Sequence, residues 1–354
     1  MKVVTVVGAR PQFIKASSLS RVLQEFSQEI LVHTGQHYDD NMSKVFFDQL
    51  QLPTPDYYMG VGSSTHGKQT AKIIEGMESI LEIEKPDLVL VYGDTNSTLA
   101  GSLAAAKLNI PVAHVEAGLR SFNKRMPEEI NRILTDHMSS ILFCPTMESI
   151  KNLQHEGIER NVHWVGDIMF DSVLHYKDIA LRQSVIMDTF GLTPKRYNLA
   201  TIHRQENTDD YQRLKNILEA LRHLNETVVI PLHPRTAKLI NQWNLQDLLK
   251  APHIIISPPL SYLDMLNLIH NAKLVLTDSG GIQKEAYMLK VPCLTLRDET
   301  EWVETVQAGW NHITGVDTQG ILKATRHLVM PEQHPPLFGD GRSAEKTAFL
   351  EPMR

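Results

Sequence analysis

Leu274-Val275-Leu276-Thr277-Asp278-Ser279-Gly280-Gly281-Ile282-Gln283-Lys284-Glu285-Ala286 reads as a buried strand that runs through a glycine turn into a helix. Such a turn turns free backbone N–H groups and the positive end of the helix dipole toward an anion, and Gly280 and Gly281 permit close approach. Ser279 adds a hydroxyl donor. Glu285, about one helical turn further on, is placed to accept hydrogen bonds from a ribose diol, as acidic residues do in dinucleotide sites. Phosphate and ribose together predict a nucleotide. The same residues also fit a serine N-cap before an ordinary amphipathic helix, so the reading depends on the rest of the chain.

The bulk properties narrow the field. A chain of 354 residues is long for one hydrophobic core, which favours two domains, and 42% hydrophobic residues suit globular packing. No apolar run approaches the ~18–20 residues of a membrane span, and the apolar stretch 3–7, stopped by Gly8, is too short for a signal-peptide core. The expectation is a cytoplasmic protein. Cys144 and Cys293 stand alone in strand-like contexts and read as buried thiols. A net charge of −6 argues against nucleic acid or an anionic membrane as partner, so an anionic small molecule must find its positive charge locally.

Working outward from the glycine turn, short β-branched runs alternate with helical patterns. Strands are expected at 3–7, 30–33, 88–91, 112–115, 141–144 and 162–165, then at 199–202, 228–231, 254–257, 274–276 and 293–296. The alternation predicts an α/β protein of two doubly wound parallel domains. The expected division is 1–166, 167–335, and a C-terminal segment 336–354 whose helix packs back on the first domain. In such folds functional groups collect at the carboxyl ends of strands, and here every strand end carries chemistry.

After the first strand, Gly8-Ala9-Arg10-Pro11-Gln12-Phe13-Ile14-Lys15 places Pro11 in the first turn of a helix. There is no G-x-G-x-x-G. Arg10 and Lys15 suit an anion held by charge, or are surface cations of an amphipathic helix. Asp94, in Tyr92-Gly93-Asp94-Thr95-Asn96-Ser97-Thr98, either belongs to a helix cap or shares a cleft with Glu116 of His114-Val115-Glu116-Ala117-Gly118-Leu119-Arg120, since neighbouring parallel strands end about 5 Å apart. Glu128 and Glu129 open the helix that leads to Arg132, where acids also complement a helix dipole. Three converging carboxylates would repel one another, and at least one should have a raised pKa, as acid–base chemistry requires. In the second half, His203 with Arg204 and His233 with Arg235 stand at strand ends as neutral loop residues or as donors to a diphosphate, and Arg297 ends the series. His33 and His37 lack a third ligand, so no metal is expected.

The runs 8–15, 93–95, 114–120, 127–129 and 277–285, in this order, resemble the non-hydrolysing UDP-N-acetylglucosamine 2-epimerases over essentially the whole chain. The resemblance implies two Rossmann-like domains of the GT-B type facing across a cleft, a UDP-sugar substrate, no cofactor or metal, and a homodimer. It implies catalytic roles for Lys15, Asp94, Glu116, Glu128 and His203. Substrate binding falls to Arg10, Arg132, His203, Arg204, His233, Ser279, Gly280, Gly281, Glu285 and Arg297. Gln36 and His37 match the neighbourhood used by relatives that a second substrate molecule regulates. The implied reaction interconverts the UDP-linked gluco and manno N-acetyl sugars by elimination and re-addition of UDP, serving bacterial surface polysaccharide precursors. Arg297-Asp298-Glu299-Thr300-Glu301-Trp302, with 200–204 and 232–235, is similar to a branch acting on UDP-2,3-diacetamido-2,3-dideoxyglucuronic acid, which makes that sugar the alternative substrate. A hydrolysing epimerase, a GT-B glycosyltransferase and a catalytically silent nucleotide-sugar sensor are the competing functions.

Overall fold

The computed structural model describes residues 1–36, 50 and 52–348. The chain divides into two compact units, one comprising Met1–Ser172 with Phe338–Arg354 and the other Val173–Leu337. In the first, strands β1 (Lys2–Val7), β2 (Gln28–His33), β3 (Tyr57–Tyr58), β4 (Leu88–Tyr92), β5 (Val112–Val115), β6 (Ile141–Cys144) and β7 (Val162–Trp164) form one parallel sheet. Its order is β3-β2-β1-β4-β5-β6-β7. In the second, β8 (Tyr197–Thr201), β9 (Thr227–Pro231), β10 (Ile254–Ser257), β11 (Leu274–Thr277), β12 (Cys293–Thr295) and β13 (Asn311–Ile313) form a parallel sheet of order β10-β9-β8-β11-β12-β13.

Continuous apolar strands demand cover on both faces. On one face of the first sheet, the alternate residues Val4, Val6, Ile30, Val32, Val89 and Val91 pack against Ile73, Met77 and Leu81 of helix His66–Glu84 and Ala100 and Ala104 of helix Asn96–Lys107. In the second unit, Ala200, Val228, Ile230, Leu274 and Leu276 pack with Leu214, Ile217, Leu218 and Leu221 of helix Tyr211–Arg222. Cys144 and Cys293 are buried, free thiols, and burial pushes both above the ordinary thiol range, which makes them unreactive.

Both sheets reverse their winding at an internal pair, β1 beside β4 and β8 beside β11. A doubly wound sheet opens a crevice at this reversal, at the carboxyl ends of the two strands. The segments 8–10 and 93–94 lie at the first crevice, and 202–204 and 278–280 at the second.

Residues 338–348 complete the first unit. Phe338 is buried, its carbonyl accepts the Asp167 N–H, and Gly339 lies against Gly166. Helix Ser343–Ala348 packs on helix Arg10–Leu23, and its first amides, Ser343 and Ala344, donate to the carboxylate of Asp171 at 3.0 and 2.8 Å.

Candidate functional site

In the first unit the turn after β1 is built around Gln12. Its amide oxygen accepts from the Gly8 and Ala9 N–H groups at 2.8 and 3.1 Å, and its NH2 donates to the Tyr92 carbonyl and to Thr98 Oγ1. The Gly8 and Ala9 amides are therefore satisfied within the protein, and Gln12 ties the end of β1 to the end of β4. A glutamine at the third helical position is a capping signal. Arg10 stands half-buried at the start of the helix. Gln36 is also structural in its contacts, since its side-chain oxygen accepts from Ser97 N at 2.9 Å and Ser97 Oγ at 2.7 Å. His37 lies outside the described residues.

The carboxylates meet cations. Lys15 is buried and pairs with buried Glu116. The pair sits over Gly93, because a methyl group there would lie 3.2 Å from Glu116 Oε2 and 3.3 Å from Lys15 Nζ. Gly93 (φ +63°) and Glu116 (φ +73°) are both in the left-handed region, glycine's by preference and glutamate's at a cost. Asp94 Oδ2 receives Arg132 Nη2 at 2.7 Å and Nε at 3.1 Å, and Asn131 Nδ2 donates to the Asp94 carbonyl. The helix cap beside it is Thr95, whose Oγ1 accepts from Thr98 N. Glu129 is fully buried. Burial alone would raise its carboxyl, but the N–H groups of Ser121 and Phe122 and the Arg132 guanidinium hold it below the usual range. Glu128, half-buried, makes no side-chain hydrogen bond or ion pair among the described residues. Glu116 is thus offset by Lys15, expected to be catalytic, and Asp94 and Glu129 by Arg132, expected to bind the substrate.

A buried network supports these turns from behind. His114, with no exposed surface, places Nδ1 2.6 Å from Asp136 Oδ1 and Nε2 2.7 Å from the Gly93 carbonyl. Asp136 Oδ2 also receives Arg120 Nη1 at 2.7 Å and the Gly118 N–H at 3.1 Å. Burial alone would raise the Asp136 carboxyl, yet His114 and Arg120 outweigh it and keep the group below the ordinary carboxylate range. Arg120 reaches on to Glu156.

In the second unit Asp278, fully buried at the end of β11, accepts from the backbone N–H groups of His203 and Arg204 and from Asn207 Nδ2, all at 3.0–3.1 Å. It fixes the loop after β8. Ser279 occupies the N-cap of helix Gly280–Met288, but its hydroxyl makes no capping bond, and Thr277 Oγ1 takes its N–H. Gly280 is buried and Gly281 exposed, while Glu285 is buried one turn in. His203 stands 6.3 Å from His233, ring to ring. His203 is exposed by surface area, yet desolvation by the surrounding atoms, opposed by Asp278 and reinforced by Arg204 and His233, lowers its pKa from the usual 6.5. His233 Nδ1 accepts from Arg235 N, which caps the helix Pro234–Gln242. Arg297 is buried between Glu206 and Glu301, at 2.7 and 2.9 Å, and Arg204 lies 3.7 Å from Glu301. Glu301 itself presses on the glycine turn, so that a Cβ at Gly280 would overlap its carboxylate. Among the described residues no group of three or more His, Cys, Asp or Glu side chains is arranged to hold a metal, and no helix is long and apolar enough to cross a membrane.

The family model for UDP-N-acetylglucosamine 2-epimerase matches residues 22–350. The chain belongs to that family. A UDP-N-acetylglucosamine 2-epimerase homologue of Methanococcus maripaludis is 51% identical over 349 residues, covering 98% of both chains. The UDP-2,3-diacetamido-2,3-dideoxy-D-glucuronate 2-epimerase of Pseudomonas aeruginosa is 48% identical, again over 98% of each. The crystal structure of the Methanocaldococcus jannaschii UDP-GlcNAc 2-epimerase, in complex with UDP-GlcNAc and UDP, superposes with a TM-score of 0.90 at 46% identity and 98% coverage of both chains. The fold is therefore the two-unit α/β architecture of the family, GT-B in type, and the protein is an isomerase.

Sequence reading of this epimerase-family chain missed Gln12, Asp136 and the part Asp278 plays in fixing the loop after β8. Gln12 carried a local signal. Asp136 and Asp278 did not, because their partners lie 16–22 and 71–75 residues away.

Proposed function

We propose that the protein is a non-hydrolysing UDP-N-acetylglucosamine 2-epimerase, with the chemistry on the first unit and the UDP moiety held by the second. The observation that carries this reading is the group of carboxylates at the first crevice, Glu116 paired with buried Lys15 beside Gly93 and Asp94 clasped by Arg132.

The C2 hydrogen of an N-acetylhexosamine is not adjacent to a carbonyl, so removing it alone yields no stabilised carbanion. Elimination avoids the difficulty. A carboxylate takes H2, the C2–H electron pair becomes the C1=C2 bond, and the C1–O bond to UDP breaks, giving UDP and 2-acetamidoglucal. Re-addition of UDP at C1 with a proton delivered to the opposite face of C2 gives the manno epimer, with no net change in atoms or electrons. Asp94, Glu116 and Glu128 are the proton-transfer groups in this scheme, and Lys15 offsets the charge on Glu116. His203, Arg204, His233 and Arg297, with Ser279 and the Gly280–Gly281 turn, suit the departing diphosphate, Arg10 offers a further cation, and Glu285 suits the ribose. A UDP-N-acetylglucosamine 2-epimerase homologue and a UDP-2,3-diacetamido-2,3-dideoxy-D-glucuronate 2-epimerase are 51% and 48% identical to this chain, so the diacetamido uronic acid is the second substrate to try. The same reading assigns the enzyme to the cytoplasm, to surface polysaccharide precursors and to a homodimer, which sedimentation at equilibrium tests.

Incubation with UDP-N-acetylglucosamine in D2O, followed by proton NMR, tests the reaction. Deuterium at C2 of a UDP-linked manno product is expected. Release of free N-acetylmannosamine at the turnover rate would mean a hydrolase, and dependence on an added acceptor without C2 exchange would mean a glycosyltransferase.

A further inference from the structure

We propose that His114 is a positioning residue for the epimerisation, holding the Asp94 turn in register through the Gly93 carbonyl. The proposal rests on the functional reading above. The side chain cannot touch a substrate, since it has no exposed surface. Its two bonds point to a different role. Nδ1 faces Asp136 Oδ1 at 2.6 Å and Nε2 faces the Gly93 carbonyl at 2.7 Å, and a carbonyl oxygen can only accept. Asp136 is already an acceptor for Arg120 Nη1 and Gly118 N. A ring satisfying both oxygens donates from both nitrogens.

The geometry makes this doubly donating ring a brace between two turns. Gly93 precedes Asp94 and lies against the Lys15–Glu116 pair, in a left-handed conformation that is one of several open to glycine, so its neighbours must select it. Gly118 closes the turn that begins with Glu116, another left-handed residue, and its N–H is tied to the same Asp136. One buried carboxylate therefore fixes the backbone after Glu116 directly and the backbone before Asp94 through His114. Asp136 is the anchor, and the His114 ring transmits its position to the neighbouring strand.

Two isosteres separate this role from packing. Asparagine places an NH2 near the position of Nδ1, so His114→Asn keeps the bond to Asp136 and leaves the Gly93 carbonyl without a donor. His114→Gln places its NH2 near Nε2, restoring the donor to Gly93 and leaving Asp136 one donor short. Stability and activity should fall in opposite orders. The glutamine variant should melt lower but keep kcat for C2 exchange within about tenfold of wild type, while the asparagine variant loses about 10²-fold in kcat with KM within about threefold. Activity that follows melting temperature across the two variants, or wild-type kcat in both, would overturn the proposal. A measurement on the wild-type protein guards against variants that do not fold. With ¹⁵N-labelled histidine, the signals assigned to His114 by their loss in a variant, or by through-bond correlation, should show both ring nitrogens protonated. A pyridine-type nitrogen on His114 would sink the idea. If the wild-type enzyme exchanges C2 on no UDP-N-acetyl sugar, the functional reading fails and takes this proposal with it, whereas failure of the isosteres in an active enzyme removes the positioning role alone.

Discussion

Asp94 and Glu116 differ in burial, and the difference separates what their amides should do. The Asp94 side chain is 33% exposed and Glu116 only 8%, with Lys15 beside it equally buried. Asp94→Asn and Glu116→Gln should each lose about 10²–10⁴-fold in C2 exchange, as expected for a missing proton-transfer group, and should retain UDP binding by calorimetry. Undiminished exchange in both would remove these residues from the chemistry. Glu116→Gln should also unfold at lower denaturant, because an unpaired buried Lys15 costs about 3–5 kcal/mol. His203 gives a pH prediction. Its pKa is lowered from 6.5, chiefly by desolvation, so the free enzyme holds a neutral ring near neutral pH. An anionic diphosphate favours the charged ring, so affinity for UDP-N-acetylglucosamine should rise as the pH falls below 6.5, and His203→Asn should flatten that dependence. The sugar-linked diphosphate does not itself titrate there, which makes it a better probe than UDP. The sequence displayed the chemical groups at these strand ends because strand periodicity locates the ends. It did not display how the groups are paired, since Lys15 finds Glu116 across 101 residues and Asp278 finds His203 across 75.

At the scale of elements, the strand-ending turns are the most exacting parts. Gly118 has φ +78°, and a Cβ there would stand 2.3 Å from the Ser149 carbonyl oxygen, a backbone atom with no rotamer to yield. Gly118→Ala should therefore cost about 1–3 kcal/mol from overpacking and a similar amount from backbone strain, measurable as a lowered urea midpoint. A stability within error of wild type would show that helix Met147–His155 gives way. The apolar strands were legible to within one to three residues, with 112–115, 141–144 and 254–257 matching their observed bounds. Strands β3 and β13 were not. Each has two or three residues and lies at a sheet edge, where neither an apolar run nor strict alternation is needed. The short helices Gln205–Thr208 and Val303–Gln307 escaped for a related reason, since four or five residues do not complete a helical period that a pattern can reveal.

For the molecule as a whole, the alternation of strands and helices was enough to announce two doubly wound sheets, and the family's motifs supplied the reaction that periodicity cannot. The first unit is discontinuous, with helix Ser343–Ala348, from the C-terminal segment expected to return to the first domain, seated on helix Arg10–Leu23 and capped by Asp171. A chain ending at Leu337 should lose the cooperative unfolding of the first unit and its C2 exchange while the second unit keeps protected amides in hydrogen exchange. Full protection of β1 and β4 in that variant would show that the tail is dispensable. The interruption also imposes an order of birth. The ribosome must build all of Val173–Leu337 before residues 338–348 emerge, a delay of roughly ten to thirty seconds at about 5–20 residues per second. Throughout that interval helix Arg10–Leu23 waits for the C-terminal helix that packs on it, so the unit that is translated first is the one that matures last.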